Sequence, residues 1–186
     1  MKSGFFDNLL HLYKPLVYVG KNYQNFIQVS PIALDAAEKQ FLFDLVKYVQ
    51  EKQAHFSETQ VHILRNQSRK GLGFFTDGNN FYPDFILWLV KEGKQYIRFI
   101  DPKGIRNSKA ISDPKIQFHK VLKDKIQTQV SAVNIELDSF IISNTSFLDV
   151  QWKEDLSIAD FNRENVYFLK ENSQDYIEKI LSVSNE

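Results

Sequence analysis

Two acids and a lysine stand at the ends of two apolar runs. Tyr82-Pro83-Asp84 opens the run 85–90, and Asp101-Pro102-Lys103 closes the run 96–100. The turn-like Lys91-Glu92-Gly93-Lys94 joins them. With Glu92 and Gly93 as a two-residue hairpin turn, Lys91 pairs with Lys94, and counting outward along both strands sets Asp84 directly across from Asp101. Side chains alternate faces along a strand, so Lys103 projects on the side of Asp101, and Ile86 and Trp88 share the face of Asp84.

Directly opposed residues have Cβ atoms only about 4.5–5.5 Å apart, where like charges are unfavourable unless something neutralises them. A divalent cation does so. Magnesium prefers oxygen ligands and is commonly held by one or two carboxylates, with its other positions open to water and phosphate oxygens. Such an ion polarises a phosphoryl oxygen and lowers the pKa of a bound water, and Lys103 is placed to orient the nucleophile or to stabilise charge developing on the phosphate. The expected chemistry is phosphodiester hydrolysis. The plainer reading is an ordinary hairpin in which Asp84 follows a turn proline and Asp101 pairs with a lysine.

The elements that must position these groups are legible around them. Asp35-Ala36-Ala37-Glu38 has the spacing of a capping box, and Phe41, Leu42, Leu45, Val46 and Val49 follow with helical periodicity, so a helix is expected over 35–52. Residues 60–65 alternate and favour a strand, and 69–80 read as a loop punctuated by Gly71, Gly73 and Gly78. Asp113-Pro114 supplies an N-cap and a first-turn proline for a helix to about residue 127. Further strands are expected at 134–144 and 166–169, and a closing helix at 175–181. Ahead of this core, 4–13 read as a short helix and 14–29 as extended segments. Helices and strands in this order make an α/β (α+β) fold, a central mixed sheet with an antiparallel hairpin flanked by helices.

Pro83-Asp84 followed by Asp101-x-Lys103 resembles the signature of the PD-(D/E)xK nucleases, the restriction-endonuclease-like superfamily. The stretch Leu64-Arg65-Asn66, Gly71-Leu72-Gly73-Phe74-Phe75 and Phe81-Tyr82-Pro83-Asp84-Phe85, with Pro31-Ile32-Ala33-Leu34 ahead of the first helix, is similar to the carboxy-terminal endonuclease region of helicase-containing type III-like restriction enzymes. The resemblance spans roughly residues 31–120. It implies a core of helix, three-stranded antiparallel meander, helix and strand, with Asp84 and Asp101 as ligands of Mg2+ (or Mn2+), the Pro102 carbonyl joining the metal shell, and Lys103 acting on the water or phosphate. It also implies an earlier metal-associated, auxiliary catalytic acid from the first helix, for which Glu38 is the candidate beside its capping role. A basic or polar residue of the second helix is implied to face the site: Lys115, then Gln117 and Lys120. The residue between Asp101 and Lys103 departs from the usual apolar type; Pro102 has no N–H for a ladder, so the strand is expected to end or to meet an edge there.

At 186 residues with 43% apolar content the chain suits one domain, 1–186: an extension 1–34, the core 35–145 and an elaboration 146–186. The resemblance makes it a candidate piece of a longer helicase-nuclease. There are no cysteines, which removes disulfides and thiolate chemistry, and the four histidines lack ligand spacing. Net charge is zero, so any pull on DNA must come from local patches. Arg65, Arg69 and Lys70 precede the site, and Arg106, Lys109 and Lys115 follow it; these are the candidate DNA contacts, each weighed against a solvated surface charge. Among the aromatics, Phe74, Phe75, Phe81 and Tyr82 lie near enough to contact DNA, with core the plainer reading for Phe75 and Trp88. With no apolar run of membrane-spanning length and no secretory leader, a cytoplasmic protein is expected.

The expectation is thus a magnesium-dependent endonuclease acting on DNA, in a restriction or defence system, with a helicase region in cis or trans or a homodimer as partner. The alternative is a non-catalytic DNA-binding or helicase-docking module on a nuclease-like scaffold.

Overall fold

The computed structural model describes residues 4–5, 17–18, 33–67, 69–76, 79–106, 108, 110–130, 134–172 and 175–183. Short strands β1 (Gly4–Phe5) and β2 (Val17–Tyr18) pair antiparallel. The expected helix over 4–13 is therefore replaced by a strand at its start, and the rest of that stretch, like most of 14–29, lies outside the described residues.

Helix α1 (Ala36–Glu51) begins where the capping box places it: Asp35 accepts from the Glu38 N–H at 2.8 Å, and Glu38 accepts from the Asp35 N–H at 2.7 Å. Strand β3 (Gln60–Arg65) follows, then a small hairpin, β4 (Phe74–Thr76) and β5 (Asn79–Phe81). The region expected as plain loop is thus partly sheet. Phe74 and Phe81 anchor it, their rings 4.7 and 4.8 Å from that of Phe118.

β6 (Phe85–Lys91) and β7 (Lys94–Pro102) form the central hairpin. Glu92 at φ 51° and Gly93 at φ 78° make the two-residue turn, whose paired positive φ values match the twist of the flanking strands. Lys91 pairs with Lys94 and Phe85 with Ile100, so the next pair outward is Asp84 with Asp101.

A helix, α2, covers 118–130 with a π-helical middle at Leu122–Ile126. It starts later than expected from Asp113-Pro114. Asp113 does cap, accepting from the Lys115 N–H at 2.9 Å, but Ile116 and Phe118 enter different apolar clusters and regular helix begins only at Phe118. Four-residue steps from Phe118 through Leu122 and Ile126 to Val130 overshoot an α-helical turn of 3.6 residues; the wider π turn absorbs the excess and keeps this stripe on the sheet.

β8 (Ile135–Ser143), α3 (Ile158–Arg163), β9 (Val166–Phe168) and α4 (Asp175–Leu181) complete the chain. α3, with its own Ser157/Asp160 capping box, had not been expected. The five-stranded sheet has the order β3-β6-β7-β8-β9, antiparallel through β7 and parallel beyond it. This is the expected mixed sheet flanked by helices.

Residue parity divides the layers. Phe85, Leu87, Leu89 and Ile100 face α1 and α4 together with Phe41, Leu42, Leu45 and Ile177. Ile86, Phe99 and Leu137 face α2 through Phe118 and Leu122, with Trp88 packed at the margin. Asp84 and Asp101 continue the second set, so they emerge on the α2 face at the end of the hairpin. None of the helices among the described residues is long and apolar enough to cross a membrane.

Candidate active site

Asn66, directly after β3, positions Asp84. Its N–H donates to the Asp84 carbonyl at 2.8 Å, extending the β3–β6 ladder by one bond. Its side-chain amide donates to the Pro83 carbonyl at 2.9 Å and to the Leu72 carbonyl at 2.7 Å, while its Oδ1 accepts from the Leu72 N–H at 2.9 Å. One residue therefore fixes the Pro83-Asp84 backbone and the 67–72 loop together. Nothing local in the sequence marks this role, since an Asn after a strand signals only a turn.

Asp101 is held differently. β7 ends at Pro102, as expected, with Pro102 still paired with Ile142 and the Lys103 N–H donating to the Ile142 carbonyl at 2.9 Å. Backbone groups alternate sides along a strand, so Pro102 turns toward the start of β6. That strand begins only at Phe85, and the missing N–H forfeits no ladder bond there. By the same alternation the Pro102 carbonyl faces the β6 side.

Asp101 is 3% exposed, and Asp84 is half-buried with its carboxyl hydrogen-bonded to that of Asp101. Burial first, then the Asp101 charge and that hydrogen bond, then the Glu38 charge, push Asp84 up from 3.8 to about 8, with Lys103 opposing. The pair thus holds a proton near neutrality. Lys103 Nζ lies 3.4 Å from Asp101 Oδ2. Burial acts to lower Lys103, but the Asp101 charge, hydrogen bonds with Lys115 and Asp101, and the Asp84 charge outweigh it and hold it above the ordinary lysine value. Lys115 is pushed down by burial and then by the neighbouring Lys103.

Glu38 is buried and committed. Both its oxygens accept from Arg65 Nη2, at 3.1 and 2.9 Å, and one also caps α1. Its charge reaches Asp84, but among the described residues no three acid or histidine side chains converge as a metal-holding group. The fit to a divalent cation therefore rests on Asp84, Asp101 and the Pro102 carbonyl. Two carboxyls sharing one proton are a suitable oxygen pair, because a hard cation takes the proton's place.

No family model, curated protein or solved structure matches this chain.

The basic residues separate into groups. Arg65 is engaged by Glu38 with its side chain only 13% exposed, so it serves the scaffold rather than offering a surface to DNA. Gln117 and Lys120 turn from the acids to Glu164, donating at 2.8 and 2.9 Å, and His119 meets the same carboxylate at 3.0 Å. Lys70 and Arg106 are exposed, and Lys109 lies outside the described residues, as do Pro31 and Ile32. Arg69 and Lys115 line one cleft with Asn80 and Tyr82. Phe74 and Phe81 belong to the core; the side chain of Phe75 is not among those described.

Proposed function

We propose that the protein is a magnesium-dependent endonuclease that hydrolyses phosphodiester bonds of DNA. The observation that carries this reading is the hydrogen-bonded Asp84–Asp101 pair directly across the hairpin, with Lys103 3.4 Å from it. The order α1, β3, β6, β7, α2, β8 supports it, being the order that the resemblance to PD-(D/E)xK nucleases implies.

Asp84, Asp101 and the Pro102 carbonyl would hold the cation. When bound, Mg2+ polarises a phosphoryl oxygen and lowers the pKa of a bound water. Lys103, protonated at neutral pH, donates a hydrogen bond and positive charge to the phosphate or the attacking water; it is not the base. Glu38 adds negative charge behind Asp84 and, through Arg65, fixes the start of α1 against the end of β3. Asn66 keeps Asp84 in register.

The test is cleavage of supercoiled plasmid with Mg2+ or Mn2+, beside an EDTA control and the Asp84→Ala and Lys103→Ala variants. Metal-dependent nicking lost in both variants is expected. Undiminished cutting by folded Asp84→Ala protein overturns the assignment.

The commitment of Glu38 to Arg65 favours one second reading, a non-catalytic module that binds DNA or docks a helicase on the same scaffold. It predicts DNA or helicase binding without cleavage in any metal, and binding unchanged in Asp101→Asn.

A further inference from the structure

We propose that the cleft beside the acid pair is a subsite for a second phosphate of the substrate strand, one flanking the phosphate that is hydrolysed. This rests on the nuclease reading and specifies which part of the substrate is gripped. The cleft encloses about 530 Å3 and is lined by Arg69, Asn80, Tyr82 and Lys115. That is the size of a pocket for a small ligand, such as one nucleotide of a strand. It adjoins the acids at two points: the Lys115 side chain reaches that of Lys103, and Tyr82 stands two residues before Asp84.

The cleft's two cations form no close ion pair among the described residues, although the charges of Asp101 and Asp113 reach Lys115. Arg65, Lys120 and Lys123 each have a carboxylate within 4 Å, whereas Arg69 and Lys115 have none among the described residues. Lys115 instead crowds a second amine, that of Lys103, an arrangement that an anion between them relieves. Arg69 sits at φ 64°, a left-handed conformation unfavourable for a side-chain-bearing residue by about 1–2 kcal/mol. Asn80 and Tyr82 add an amide and a hydroxyl donor. A planar guanidinium, an ammonium and two neutral donors around one cavity match the acceptor oxygens of a phosphodiester.

The backbone loop carrying this cleft is closely fitted. A Cβ on Gly73 would lie 2.3 Å from the Tyr82 ring, so the absence of a side chain lets 71–73 pass against that ring and hold it at the cleft. The cleft is thus built jointly by the loop after β3, the hairpin β4–β5, the entry to β6 and the turn before α2.

The experiment uses the full chain in EDTA and measures calorimetric binding of thymidylyl-thymidine (TpT), its 5′-phosphorylated form (pTpT) and inorganic phosphate. The added phosphate is expected to tighten binding about tenfold, the effect of one charge-assisted contact set. This gain disappears in Arg69→Gln/Lys115→Gln and persists in the exposed control Lys47→Gln. An equal affinity for TpT and pTpT, a gain that survives the double substitution, or inorganic phosphate binding as tightly as pTpT overturns the subsite. Plasmid cleavage by the same proteins, transferred from EDTA into Mg2+ or Mn2+, separates the two readings: cleavage without the gain sinks the subsite alone, and the gain without cleavage sinks the nuclease alone.

Discussion

Asp84 and Asp101 share a hydrogen bond between their carboxyl groups although both are acids, and they do so because the β6–β7 register leaves them no other place. The Glu92-Gly93 turn sets that register eight residues away from either acid, so local backbone geometry imposes a long-range electrostatic strain. Its consequences are measurable.

The first is on stability. Asp84 has a folded value of about 8 against 3.8 ordinarily, so the native state favours its neutral form. Below pH 4 the residue is neutral folded or unfolded and contributes nothing. Between pH 4 and 8 the unfolded state ionises while the folded state resists, and stability falls; above 8 the whole penalty applies. Discounted for partial exposure and for sharing with Asp101, it amounts to a few kcal/mol. Asp84→Asn is therefore expected to melt several degrees above wild type at pH 8.5 in EDTA, with a smaller difference at pH 5. Parallel melting curves across pH would falsify the shared-proton geometry.

Metal should reverse that penalty. A cation that binds the acid pair stabilises the folded state by about 2.7 kcal/mol at a hundredfold excess over its Kd and releases the shared proton. Thermal melts of wild type are expected to rise with added Mg2+ or Mn2+ and to return with EDTA, and Asp101→Asn is expected to show no rise. The proton release appears as a buffer-dependent heat of metal binding. A rise of equal size in Asp101→Asn places the metal elsewhere.

Asn66→Ala removes three side-chain hydrogen bonds that hold the Pro83 and Leu72 backbone. A loss of about 2–3 kcal/mol in stability is expected. Nuclease activity should fall further than stability accounts for, by about a hundredfold, since a displacement of about 1 Å at a reacting group has that effect. Cleavage rates measured well below the variant's melting temperature, where it is fully folded, check this. Full activity there shows that Asn66 serves the loop alone.

Arg65→Gln tests the division between scaffold and surface. It leaves the buried Glu38 carboxylate without its cation, which is expected to lower stability by about 3–5 kcal/mol. Because Arg65 faces Glu38, the salt dependence of DNA binding should keep the wild-type slope, whereas each phosphate-binding cation removed reduces the slope by about one. Arg65→Gln/Glu38→Leu, which removes both charges, is expected to recover most of the stability. A lower slope in a folded Arg65→Gln protein would return this residue to the DNA-contact set.

Much of this architecture is readable in the chain because it depends on short-range rules. The capping box at Asp35 and Glu38 starts α1, alternation over 60–65 makes β3, and α4 occupies the residues its apolar stripe marks. Pro102 marks the end of β7 by the same kind of rule, since a proline in a central strand is allowed only where the neighbouring strand has already ended. The late start of α2 and the strands within 69–80 are not legible in that way. Phe118, Phe74 and Phe81 decide both by packing on one another across a wide separation in sequence.

The residues alone determined the opposition of Asp84 and Asp101, because a two-residue turn and a period of two leave one register. Only the tertiary structure decided what surrounds them. It paired Glu38 with Arg65, sent Gln117 and Lys120 to Glu164, tied Asn66 to Pro83, and set Lys115 beside Lys103 in one cleft with Arg69. Those contacts join elements distant in the chain, and loops without periodicity carry most of them. Their partners are selected by how α1 and α2 pack on opposite faces of the sheet, and no local pattern records that packing.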